Sequence, residues 1–317
     1  MPFLPILLLL FGLGVLIVGA EWLVRGSASV ARKSGISPLV IGLTVVAFGT
    51  SMPELIVNVI AAFQGSVDIG LGNILGSNIS NILLILGVSA CIVPLQARSS
   101  TIRKEIPLAI LSMGLLWIVA NDIFFDGANH NLLSRTDGLS LMLLFSIFLY
   151  ATLTAPKETH HNSKVKQYSS LVSVLFILAG VGGLFWGGKL LVDNATIIAK
   201  LFGLSEAFIG LTIIAIGTSL PELATSVAAT LKNEHDIAIG NIVGSNIFNV
   251  LWVLGLTSSI LPLPISENIN TDILITVIIS LLLWGTLIVG KKKIPRWAGV
   301  LFLTLYVTYI VYLIFRG

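Results

Sequence analysis

"GTSMPEL" occupies residues 49–55 and "GTSLPEL" occupies residues 217–223. Each sets a proline and then a glutamate in strongly apolar surroundings. Proline removes a backbone donor and collides with the carbonyl four residues before it. Pro53 and Pro221 should therefore kink or break their helices against Gly49 and Gly217. A carboxylate at mid-bilayer costs at least ~2.5–3.5 kcal/mol and marks an ion pathway or relay by default. A single proline reads as an ordinary kink of a membrane helix. Two, each followed by glutamate in a duplicated motif, read as functional breaks.

The rest of the chain supplies the membrane. Its 317 residues are 56% hydrophobic and 10% charged, with a mean hydropathy of +1.00. A soluble domain carries about a quarter charged residues. The net charge of +3 is spread over short loops, which excludes a nucleic-acid-binding face. The one cysteine, Cys91, rules out a disulfide framework and reads as a small buried apolar residue. His130, His160, His161 and His235 fall in expected loops without zinc-ligand spacing. The N-terminus lacks a basic segment and a small-residue cleavage site, so it reads as a retained membrane helix.

Apolar runs of about twenty residues mark membrane spans. Ten are expected, near 3–24, 38–63, 69–94, 105–121, 137–154, 170–188, 206–231, 237–262, 271–290 and 297–315. A polar linker at 155–169 separates a first five-helix unit, 1–154, from a second, 170–317. With the N-terminus outside, fourteen of the 18 Lys and Arg fall in inside loops. That bias predicts N-out, C-out and places the linker in the cytoplasm.

An offset of 168 residues aligns Glu54 with Glu222, Gly72 with Gly240, and Ser77 with Ser245. From 35–88 to 203–256 the match needs no gap, and "GNILGSNISNILLILG" answers "GNIVGSNIFNVLWVLG". Five spans separate the copies, so each crosses in the opposite sense to its partner. The expected fold is all-α: two inverted five-helix repeats with broken helices at a pseudo-symmetric centre, the architecture of many secondary transporters.

No Lys or Arg lies close in sequence to Glu54 or Glu222 within the spans. The compensating charge is then a proton or a bound cation. Two carboxylates match one divalent ion or two monovalent ones, and hard cations such as Ca²⁺ and Na⁺ prefer oxygen. Ala47, Thr50, Ser51 and Glu54 share one helical face, as do Ala215, Thr218, Ser219 and Glu222. The alanines offer backbone carbonyls. The hydroxyls serve either interhelical hydrogen bonds or ligation, and two adjacent carboxylates favour ligation. Asn73, Ser77 and Asn81 recur every four residues, as do Asn241, Ser245 and Asn249. Ligation is favoured for Ser77, Asn81, Ser245 and Asn249, while Asn73 and Asn241 suit packing equally well. Asp68 and Asp236 suit helix N-caps. Lys189 with Asp193, and Glu21 with Arg25, suit snorkelling or local pairing.

These paired motifs resemble the α-repeats of the cation/calcium antiporter superfamily. "VDNATIIA" (192–199) and "NEHDIAIGNIVGSNIFN" (233–249) make the chain similar to the bacterial inner-membrane branch of the prokaryotic sodium/calcium exchangers. The resemblance covers the whole length. It implies a multi-pass prokaryotic inner-membrane antiporter, not an enzyme, with no cofactor and no obligate protein partner. Its partners are the lipid bilayer and the transported ions, with Na⁺ entry driving Ca²⁺ out, commonly at three to one. Carried over, Glu54 and Glu222 ligate Ca²⁺ and Na⁺. Thr50, Ser51, Ser77, Thr218, Ser219 and Ser245 supply oxygens, Ala47 and Ala215 supply carbonyls, and Asn81 and Asn249 complete the centre. The resemblance also implies that the first and sixth helices slide across the rest. Several relatives carry Asp where this chain has Asn249, so this centre has two acids rather than three. That weakens the case for K⁺ co-transport.

A proton/calcium exchanger is the alternative within transporters, and a K⁺-dependent exchanger the other. An intramembrane hydrolase using Ser51 or Ser219 lacks a histidine base in any span. A passive channel suits broken inverted repeats around a closed charged site less well.

Overall fold

The computed structural model describes residues 3–65, 67–154, 168–201 and 215–316. Helix α1 (Phe3–Ser34) leads to a broken pair, α2 (Pro38–Thr50) and α3 (Met52–Phe63). Helix α4 (Val67–Ile92) carries the second motif, and α5 (Ile106–Val119), the short α6 (Asp122–Asp126) and α7 (Arg135–Leu153) follow. After the linker come α8 (Ser170–Leu201), α9 (Ala215–Thr218), α10 (Leu220–Leu231), α11 (His235–Ile260), α12 (Glu267–Val289) and α13 (Arg296–Arg316).

Seven of these helices are long and apolar enough to cross a membrane, or eight if α2 and α3 form one bent span. The expected span at 105–121 appears as α5, continued back by a π-helical turn at Thr101–Glu105. At 1.5 Å per residue the 14 residues of α5 fall short of a ~30 Å hydrocarbon core. The expected span at 206–231 is described from Ala215 onward. The polar linker lies almost wholly outside the described residues, and His160 and His161 with it.

Burial sorts the helices into a centre and a lipid-facing rim. In α11 and α4, 94% and 78% of the apolar window is buried, against 22% in α1 and α7. The rim leaves Leu10, Phe11, Leu143, Ile147, Ile278 and Val307 exposed, which is the arrangement hydrocarbon favours. The central helices pack through glycine. A Cβ on Gly240 would stand 2.9 Å from the Leu39 carbonyl oxygen, and one on Gly42 would stand 2.9 Å from that of Ile237. Gly244 meets Ala47 and Leu43 equally closely. The first motif helix of one half thus lies directly on the second motif helix of the other.

Two further ties cross the halves. Strand β1 (Leu95–Gln96) pairs antiparallel with β4 (Lys293–Ile294), and β2 (Leu132–Leu133) pairs with β3 (Leu263–Pro264). β1 and β3 are separated by the repeat offset. The turns after the broken helices match as well. Gly65 (φ 72°) and its repeat partner Asn233 (φ 59°) both take the left-handed conformation that these two residue types tolerate best.

Three expectations are corrected. Asp236 does not cap α11; Glu234 holds that position, and Asp236 pairs with Arg98 at 2.6 Å. Asp68 likewise lies inside the first turn of α4. His235 opens a helix rather than a loop, because the connector after α10 is only three residues long. Cys91 is partly rather than fully buried. The local pairs form as expected: Lys189 contacts Asp193 at 2.9 Å, and Glu21 contacts Arg25. Glu21 also reaches Lys232 at 2.9 Å, tying α1 to the end of α10.

Candidate cation site

Both glutamates sit just past a helix break. Helix α2 ends at Thr50, Ser51 leaves the helix (φ −86°, ψ 5°), and α3 restarts at Met52 with its axis turned by 44°. Ser219 repeats the break between α9 and α10 (φ −86°, ψ 2°). Pro53 and Pro221 therefore lie in first helical turns, where a missing N–H leaves no bond unmade. Glu54 and Glu222 follow in the same turns, where the helix dipole favours a carboxylate. Both are 0% exposed. Among the described residues no Lys or Arg pairs with either.

Hydroxyls from both repeats close around them. Ser51 donates to Glu222 Oε1 at 3.3 Å, and Ser245 reaches the same atom at 3.5 Å. Ser77 donates to Glu54 Oε1 at 3.2 Å and accepts from Ser219 at 3.2 Å. Thr50 donates to Asn241 Oδ1 at 3.0 Å and lies 3.4 Å from Ser245 Oγ. Thr218 donates to Asn73 Oδ1 at 3.0 Å. The threonine–asparagine bonds are the same contact in both repeats, so Asn73 and Asn241 act here as helix–helix ties. The Ala47 carbonyl already accepts from the Ser51 N–H (2.9 Å) and the Thr50 hydroxyl (3.3 Å). Ala215 opens the described part of its broken helix.

Four of the buried oxygens without a hydrogen-bond partner belong to the residues of this centre: Glu54 Oε2, Glu222 Oε2, Asn81 Oδ1 and Asn249 Oδ1. They form two pairs at the repeat offset. A buried acceptor left unmade costs ~1–3 kcal/mol, and more when charged, so these four are open to a ligand that receives lone pairs. A hard cation is such a ligand. A hydrogen-bond donor protein group is absent from all four among the described residues. The donor set is all oxygen, with two carboxylates, and suits Ca²⁺ or Na⁺ rather than a soft metal.

Two features were not read from the sequence. Asn78 and Asn246 contact the Asn81 and Asn249 side chains from across the repeat interface. They fall off the i, i+4 stripe that singled out their neighbours, although the duplicated "GSN" contains them. Both motif helices also widen into π-helical turns at the site, over Asn81–Leu86 and Phe248–Leu254. Such turns often mark functional positions; no residue pattern announces them.

Comparison with known proteins follows the same lines. The family model described as "Sodium/calcium exchanger protein" matches residues 4–154 and 172–315. The inner membrane protein YrbG of Escherichia coli (strain K12) is 39% identical, over 87% of this chain and 88% of its own. The putative antiporter CaxA of Alkalimonas amylolytica is also 39% identical, over 97% and 98%. The Ca²⁺/H⁺ antiporter ChaA of Bacillus subtilis matches more distantly, at 26% over 74% and 70%. Among solved structures, the sodium–calcium exchanger NCX_Mj soaked with zero Na⁺ and Ca²⁺ superposes with a TM-score of 0.85 and 35% identity, covering 99% of this chain and 100% of that one. The chain is a multi-pass membrane protein of prokaryotic type, and it belongs to the sodium/calcium exchanger protein family.

Proposed function

We propose that this protein exchanges Na⁺ for Ca²⁺ by alternating access at the paired-glutamate centre, extruding one Ca²⁺ for three Na⁺ that enter. The observation that carries this reading is the set of four buried, unpartnered oxygens arranged by the repeat. Glu54 and Glu222 supply the charge. Asn81 and Asn249 supply neutral oxygens. Thr50, Ser51, Ser77, Thr218, Ser219 and Ser245 turn lone pairs to the ion when it displaces their present contacts, and Ala47 and Ala215 add carbonyls. The reading includes ten spans in two inverted five-helix units, 1–154 and 170–317, with both termini outside and the 155–169 linker in the cytoplasm.

Proton-driven exchange is the second reading, supported by the likeness to ChaA and by the capacity of glutamates to carry protons. Uptake of ⁴⁵Ca²⁺ into proteoliposomes under imposed Na⁺, K⁺ or H⁺ gradients separates the two. Uptake driven by Na⁺ alone, unchanged by K⁺, is the expected result. Uptake driven by a pH gradient without Na⁺ would replace the Na⁺ reading with the proton one.

A further inference from the structure

Asn249 and Asn81 are each held by an asparagine of the opposite repeat. Asn249 Nδ2 donates to Asn78 Oδ1 at 3.0 Å, and Asn81 Nδ2 donates to Asn246 Oδ1 at 2.9 Å. Each bond crosses from one repeat to the other, and the two are related by the repeat offset. Asn78 and Asn246 are themselves fixed across the same interface. Asn78 Nδ2 reaches the Asn246 carbonyl at 3.5 Å and the Met113 sulfur at 3.7 Å, and Asn246 Nδ2 reaches the Asn78 carbonyl at 3.4 Å. All four side chains are buried, Asn246 being the most accessible at 6%. An asparagine amide is a donor at one end and an acceptor at the other. Turning any of the four would set like against like: two carbonyl oxygens, or two NH₂ groups, in a buried space. Once Asn78 and Asn246 present oxygen, Asn249 and Asn81 must present NH₂ to them. Asn249 Nδ2 also donates to Ser77 Oγ at 3.5 Å, and the Asn249 and Asn81 oxygens are left without a protein partner.

We infer that Asn78 and Asn246 are positioning residues for cation binding, each acting on the ligand of the opposite repeat: Asn78 through Asn249, and Asn246 through Asn81. The inference rests on the cation site proposed above and adds its supporting shell. It also gives Asn249 a reason to be an amide. An ionised aspartate there would have no donor to offer Asn78 Oδ1, and the network would lose one of its two side-chain-to-side-chain bonds across the repeats. Outer partners of this kind change metal affinity on the order of 10–100-fold when removed.

The test is a set of double-mutant cycles on apparent Ca²⁺ affinity, read as KM for Na⁺-driven uptake and as Ca²⁺-dependent thermal stabilisation of the purified protein. Asn78→Ala and Asn246→Ala should each raise the apparent KM by about tenfold or more, with a smaller change in maximal rate. Asn78→Ala should add little to Asn249→Ala, because its effect runs through that residue. It should add its full factor to Asn81→Ala. Asn246→Ala should show the mirror pattern, coupled to Asn81 and independent of Asn249. Groups in one network couple, and independent groups add. A role in packing alone predicts the same factor in every background, and that result would overturn the inference. Should an alanine variant fail to reach the membrane, Asn78→Ser and Asn246→Ser enter the same cycles with the same expected pattern. A wild type that moves no Ca²⁺ under a Na⁺ gradient defeats the exchange reading itself. Additive cycles in an exchanging wild type defeat only the positioning role.

Discussion

At the scale of single residues, Glu54 and Glu222 differ from every other acid described by lacking both water and a basic partner. Asp236, Asp193, Asp272 and Glu21 each contact an Arg or Lys within 4 Å. The two glutamates have only hydroxyls, one bonded oxygen each, and one oxygen held in reserve. Replacement by glutamine keeps shape and volume but removes charge and turns an acceptor into a donor. Glu54→Gln and Glu222→Gln should each reduce Na⁺-driven Ca²⁺ flux by about a hundredfold or more, equivalent to at least ~2.7 kcal/mol of ion stabilisation. The measurement is initial-rate ⁴⁵Ca²⁺ uptake normalised to protein incorporated. Near-normal flux in either variant would remove that glutamate from the centre.

At the scale of elements, the breaks were legible and the packing was not. Proline followed by glutamate, twice, located the breaks at Ser51 and Ser219 to within two residues, because proline excludes itself from a helix interior by sterics that need no tertiary context. The pairing of Asp236 with Arg98 joins residues 138 apart, and no local pattern encodes that distance. The glycine contacts lie between these cases. Spacing in "GNIVGSN" announces a close helix approach, but only the fold names α2 as the partner. The resulting prediction concerns Gly240. A methyl there would meet the Leu39 oxygen at 2.9 Å and the Gly42 Cα at 3.2 Å. Both are backbone, so the helices must part. Gly240→Ala should destabilise the protein by ~1–3 kcal/mol, seen as a lower thermal midpoint in detergent. Gly14→Ala meets nothing within 4 Å and should be neutral or slightly stabilising, since alanine favours a helix interior by ~0.5–1 kcal/mol. Equal midpoints for the two variants would contradict the packing account.

Close glycine packing also joins α1 and α8. Both are 32 residues long, and they lie against each other. Gly12, Gly19 and Gly26 recur every seven residues on α1, and Gly180 and Gly187 of α8 approach its backbone within 3 Å of a would-be Cβ. The glycine-lined seam brings the two backbones together, while Leu16, Leu23 and Val24 beside it stay buried.

At the scale of the whole molecule, the repeat converts local chemistry into transport. One copy of the motif supplies one glutamate, one asparagine oxygen and three hydroxyls. The second copy supplies the same set again, and the strand pairs β1–β4 and β2–β3 tie the two halves again away from the centre. Charge then sets the energetics. With both glutamates ionised the centre carries −2, and Asn249 adds none, so one Ca²⁺ would leave it neutral while three Na⁺ would leave it at +1. A full cycle at that ratio carries one net positive charge in the direction of Na⁺. A charge crossing the membrane is worth ~2.3 kcal/mol per 100 mV, or about fiftyfold in an equilibrium ratio. The sign follows directly: an interior-negative potential pulls Na⁺ in and drives Ca²⁺ out. In proteoliposomes with fixed Na⁺ on both sides, each 100 mV of interior-negative potential should lower the internal-to-external Ca²⁺ ratio at steady state by about fiftyfold. An interior-positive potential should raise it by the same factor. A ratio indifferent to potential would mean two Na⁺ per Ca²⁺, the number that two carboxylates balance without surplus. The stoichiometry would then follow from the absence of a third acid at residue 249.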